Sequence, residues 1–144
     1  MRKLILSLPL ILLLASCGPA DLKKVAQGLD ALATATGTAQ TTIIEMNKLG
    51  QIDTETTRTI LNAFMQVNLA QKQAVSITRQ LTKLDNPTAL QLQQIMQPVA
   101  ESLKLLISQG VAGIKNEETK QQVLLSITSV QSIVTAITVS LQGG

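Results

Sequence analysis

The sequence contains no histidine, no tryptophan and no tyrosine, and Phe64 is its only aromatic residue. Without histidine, neither a Ser/His/Asp nor a Cys/His nucleophile can be assembled, and a principal transition-metal ligand is missing. With a single aromatic side chain there is no platform on which successive nucleobases stack. The core must be filled by Leu, Ile, Val, Ala and Met, the palette of helix bundles more than of sandwiches or barrels. A single cysteine, Cys17, excludes an intramolecular disulfide and needs another explanation.

Charge is also scarce. Setting aside Arg2 and Lys3 in the N-terminal segment leaves ten Lys and Arg against nine Asp and Glu, spread along the chain with no basic stripe. That pattern argues against a nucleic-acid partner. Carboxylate pairs offer the remaining route to acid–base chemistry. The candidates, Asp53 with Glu55 and Glu117 with Glu118, fall at expected helix starts, where the helix dipole favours anions. Neither a glycine-rich phosphate loop nor a calcium-loop spacing is present. The sequence therefore predicts no catalytic residue, no metal ligand, no cofactor, no small-molecule substrate and no enzymatic activity.

What is present begins with residues 1–17. Met1-Arg2-Lys3 is a short positive region, and Leu4 to Leu14 (LILSLPLILLL) is an apolar run. That run is well short of the ~20 residues that cross a bilayer and suits the apolar part of a signal peptide. Leu14-Ala15-Ser16-Cys17 then resembles the lipobox of bacterial lipoproteins: an aliphatic residue, two small residues and a cysteine. Small residues let the extended backbone enter a peptidase, and the thiol carries a thioether-linked lipid. The resemblance implies recognition of Leu14, Ala15 and Ser16 by the signal peptidase, removal of residues 1–16, and covalent diacylglycerol on Cys17. In many Gram-negative envelopes an acyl group on the new amino terminus follows. With roughly 0.8 kcal/mol per buried methylene, two or three acyl chains hold a protein at a membrane essentially permanently. Gly18 after the cysteine, where Asp would signal inner-membrane retention, implies delivery to the outer membrane facing the periplasm. In a Gram-positive cell the destination would be the outer face of the cytoplasmic membrane.

After a tether at residues 17–20, residues 21–144 read as one all-α domain. A first helix is expected from about Asp21 to Leu49, with Leu22, Val25, Leu29, Leu32, Ile43 and Met46 at helical spacing. Its middle, Ala33 to Thr38, is rich in Thr and Gly and predicts a kink or break. A second helix, capped by Asp53 or Thr54, carries Ile60, Phe64, Val67, Ala74, Ile77, Leu81 and Leu84. Asn86 suits the N-cap of a third helix with Pro87 at its first position. Pro98 inside that helix predicts a bend, and Gly110 closes it. The fourth helix begins at Asn116 and holds Val123, Ile127, Val130, Val134, Ile137 and Leu141 in steps of four and three. Long helices with short connections predict an antiparallel up-down four-helix bundle built from two helical hairpins. Ile52 to Arg58 and Ile114 to Lys120 share an Ile, a Glu, a Thr and a closing cation in register, consistent with an internal repeat or with two convergent helix entries.

Two further features bear on function. The polar positions favour amides over charges: Gln66, Gln71, Gln73, Gln91, Gln93, Gln94, Gln97, Gln121 and Gln122. A weakly charged, amide-rich face fits either simple solvation or docking on another helix or a glycan. The fourth helix carries no charge after Lys120, and residues 123–141 approach the length of a membrane span. A lipid at one end and a spanning helix at the other would resemble the single-chain phage spanins, which bridge two membranes during lysis. Against that, the apolar residues keep to one side and no Lys or Arg follows them. The sequence-level expectation is an envelope lipoprotein, anchored by lipid on Cys17, with an unidentified protein partner. The alternatives are a bridging lysis protein and a superinfection- or entry-exclusion lipoprotein.

Overall fold

Asp21 opens the first helix by accepting the Lys23 N–H at 2.9 Å, and α1 runs Leu22–Lys48 without a break. The computed structural model describes residues 21–142. The predicted signal peptide, Leu14, Ala15, Ser16, Cys17 and the tether lie outside the described residues. The expected break at residues 33–38 does not occur. Thr34, Thr36, Thr38, Thr41 and Thr42 each donate their hydroxyl to the carbonyl four residues earlier in the same helix. Thr36 and Ala39 are buried in the core. Packing of one face thus outweighs the weak propensity of Thr and Gly.

At the end of α1, Gly50 adopts φ +70°, a conformation that costs glycine little. The Gly50 N–H then reaches the Asn47 carbonyl and the Gln51 N–H the Met46 carbonyl, both at 2.9 Å. This paired closure satisfies carbonyls that a helix end would otherwise leave open. The Asn47 amide donates to the Ile52 carbonyl and fixes the turn.

Asp53 caps α2, Thr54–Thr78. The Thr56 N–H at 2.7 Å, followed by the Thr56 hydroxyl at 3.0 Å, holds the Asp53 carboxyl below its usual value of 3.8. The helix ends earlier than its apolar spacing predicts. After Thr78 the Gln80 and Leu81 N–H groups turn back to carbonyls three residues before them. Leu81 and Leu84 are carried by the connection to α3, where Leu84 is buried and Leu81 half-buried against the core. Both side chains pack inward, so their spacing mimics two more helical turns.

Asp85, and not Asn86, caps α3, Asn86–Leu105, which places Pro87 in the first turn as expected. Thr88, through its hydroxyl and then its N–H, holds the Asp85 carboxyl below the usual range. A carboxylate outcompetes the neighbouring amide as acceptor for these donors. Helix α3 continues through Pro98, which is exposed, so the backbone bond that proline cannot make lies on the outer side. A π-helical turn, Leu106–Gly110, follows and ends at the glycine predicted to close the helix. Finally, the Asn116 side chain accepts the Thr119 N–H at 2.9 Å and starts α4, Glu117–Gln142.

Each helix packs on its sequence neighbours, and α4 closes the ring against α1. Antiparallel register is fixed by particular contacts. The Gln71 amide of α2 donates to the Leu29 carbonyl of α1, and Gly28 of α1 abuts Ile137 of α4. The result is the all-α, up-down four-helix bundle. Its core includes Leu29, Leu32, Ile43, Ile60, Phe64, Leu92, Met96, Leu103, Ile127 and Ile137, all essentially inaccessible. Every predicted apolar position of α4 from Val123 to Leu141 lies in that core.

Candidate functional site

The two α-hairpin loops share one end of the bundle. There Ile52 and Ile114 turn inward and are buried, as are Thr57 and Thr119 five residues beyond each. The Thr56 hydroxyl lies 3.8 Å from where a Cβ on Gly113 would stand, which brings the two loops side by side. The proposed internal repeat therefore corresponds to two equivalent plugs. The caps are offset by one position, Asp53 directly after Ile52 and Asn116 two residues after Ile114.

At the opposite end lie the start of α1, the end of α2, the α2–α3 connection and the end of α4. This is the end that leads to Cys17. Lys23, Arg79 and Lys83 are exposed there, and Lys72 is exposed nearer the middle of α2. Lys72 and Arg79 line a shallow groove with Gln71, Val75, Ser76 and Gln80. Lys23 and Lys24 follow the tether directly in the sequence; the antiparallel topology adds Arg79 and Lys83.

A second unusual surface runs along α4 and α1. No charged residue occurs on α4 from Gln121 to Gln142, or on α1 from Ala31 to Ile44. These stretches lie side by side, because Ala31, Thr34 and Ala35 share a shallow groove with Ile133. Leu125 and Val139 project outward with more than half their surface exposed. The hydroxyls of Ser126, Ser129, Thr138 and Ser140 are satisfied by carbonyls one turn earlier in α4. Such back-bonding leaves little polar demand on the outer face. Helix α4 is the one described helix long and apolar enough to cross a membrane, though its apolar stripe is spent on the bundle core.

The amide-rich faces serve partly as internal ties. Gln71 bonds across to α1, and the Asn68 amide reaches the Gln40 side chain. Gln97 and Gln121 bond acids one turn away on their own helices. The carboxylates considered for acid–base work do not converge on a cleft: Asp53 is a helix cap, and Glu117 and Glu118 lie exposed in the first turn of α4. Among the described residues, no group of three or more Cys, Asp or Glu is placed to hold a metal ion. No family model matches this sequence, and no curated protein or solved structure matches it.

Proposed function

We propose that this chain is an exported lipoprotein, anchored through acyl chains on Cys17, whose bundle is a non-enzymatic interaction module of the bacterial cell envelope. The observation that carries the reading is the coincidence, within residues 1–17, of a positive start, an apolar run of signal-peptide length and the box Leu14-Ala15-Ser16-Cys17. The start of α1 at Leu22 supports it, since few residues separate the anchor from a folded domain. Gly18 favours the outer membrane, facing the periplasm. The partner is a protein of the envelope that meets the weakly charged helical surface.

Mass spectrometry of the chain extracted from membranes tests the anchor. The expected product begins at Cys17 and carries the mass of a diacylglyceryl group, and Cys17→Ser leaves an unlipidated chain. An N-terminus elsewhere, or a bare cysteine, contradicts the reading.

One observation favours a second reading. Helix α4, free of charge from Gln121 onward and long enough to span a bilayer, fits a bridging protein similar to the single-chain spanins. In that case α4 would have to leave the bundle and expose a core that includes Leu29, Ile43 and Met96. That cost makes the packed module the better account.

A further inference from the structure

We propose that the end of the bundle nearest Cys17 is a headgroup-binding platform, in which Lys23, Lys24, Arg79 and Lys83 contact anionic lipids and set the bundle upright on its membrane. The proposal rests on the lipoprotein reading for its geometry.

The residues come from separate parts of the chain. Lys23 and Lys24 belong to the first turn of α1, Arg79 is the residue after α2, and Lys83 lies in the connection to α3. The antiparallel pairing of α1 with α2, pinned by the Gln71–Leu29 bond, brings them to one end. With Lys72 they outnumber the acids of that half, Asp21, Asp30 and Asp85. Asp21 and Asp85 are occupied as helix caps, each accepting a backbone N–H. Among the described residues, Lys23, Lys72, Arg79 and Lys83 form no ion pair with any of these acids. In the far half the balance reverses: Glu45, Asp53, Glu55, Glu101, Glu117 and Glu118 exceed Lys48, Arg58, Lys104, Lys115 and Lys120. The molecule is thus polar along its long axis, with its positive end toward the anchor.

Reach completes the argument. Five residue steps separate Cys17 from Leu22, and an extended chain covers at most about 3.6 Å per residue. The Cα of Leu22, where α1 begins, therefore stays within about 18 Å of the Cα of Cys17. Attraction to an anionic surface operates within a Debye length of about 8 Å and strengthens roughly fivefold per cation brought to it. A shorter approach than the tether's limit is thus rewarded, and the approach that brings all four cations down is the upright one.

The test uses residues 18–144, a span that contains every core side chain and all four helices. Flotation is run with excess vesicles of phosphatidylcholine alone, or of equal parts phosphatidylcholine and phosphatidylglycerol. Binding to the anionic vesicles alone is expected, with release at high salt. The double substitution Arg79→Gln and Lys83→Gln should weaken it about 25-fold, while Lys48→Gln with Lys115→Gln leaves it unchanged. Circular dichroism checks that both variants stay folded. Equal binding to neutral vesicles, absence of binding, or insensitivity to the Arg79 and Lys83 changes would each overturn the proposal. Because this chain lacks Cys17, the outcome is independent of lipid attachment, which the mass measurement decides separately.

Discussion

At one end of the bundle, two short loops drive Ile52 and Ile114 into the core and set a side-chain cap just beyond each. At the other end, a single connection packs Leu84 inward, leaves Arg79 and Lys83 exposed, and lies beside the start of α1. The first end is finished for stability, with apolar plugs and satisfied helix starts. The second carries an excess of cations that contribute little to the fold and stand where a membrane surface is expected. In a bundle, sequence devices that close the fold and those left over for contact can be separated by the end at which they sit.

The largest effect should come from the core that both ends share. Ile127 is fully buried at the centre of the α4 stripe, and Ile127→Asp places an unpaired carboxylate there. A loss above about 4 kcal/mol is expected, enough to unfold a domain of ordinary stability. A variant as helical and heat-stable as the parent would contradict the packing of α4.

Two glycines of α1 sharpen the contrast between its faces. A Cβ on Gly28 would stand 2.7 Å from Ile137 Cγ1, whereas one on Gly37 meets nothing within 4 Å. Gly28→Ala should cost about 1–2 kcal/mol through overpacking of the α1–α4 seam. Gly37→Ala should gain about 0.5–1 kcal/mol, because the helix no longer bears glycine's entropy. Denaturant midpoints of the two variants moving the same way would contradict this placement of the helices.

The smallest effect distinguishes the caps. Asp53 at the plugged end and Asp85 at the other are both held below 3.8 by Thr56 and Thr88. A carboxyl with a lowered native pKa contributes stability above its unfolded value, and that contribution is lost as pH falls through the native one. Stability should therefore decline below about pH 4, and less steeply in Asp53→Asn or Asp85→Asn. Asn116→Ala, which removes an uncharged cap, should instead cost about 1 kcal/mol at neutral and acid pH alike. A stability profile flat down to pH 2 would contradict the roles of the two aspartates.

Most of this fold was legible in the residues. The α4 stripe, the Asn116 cap, Pro87 in the first turn of α3 and the scarcity of aromatics together define an all-α bundle before any coordinates. Three features were not legible, the first two because tertiary contact decided them. Thr36 and Ala39 pack into the core and keep α1 helical through a weak stretch. Leu81 and Leu84 point inward from a connection that imitates helical spacing. Asp85, the stronger acceptor, takes the cap in place of its neighbour Asn86. Of the candidate site, Lys23 and Lys24 were visible beside the tether, but Arg79 and Lys83 join them only through the antiparallel return of α2. No sequence signal announces that juxtaposition.

The central claim is that α4 belongs to the bundle and that lipid on Cys17 is the only anchor. Exporting residues 18–144 behind an ordinary cleavable signal peptide tests it most directly. The account predicts a helical protein that salt or alkaline washing releases from membranes. Protein retained in membranes after alkaline washing would contradict it, and would mean that α4 leaves the bundle and spans the bilayer.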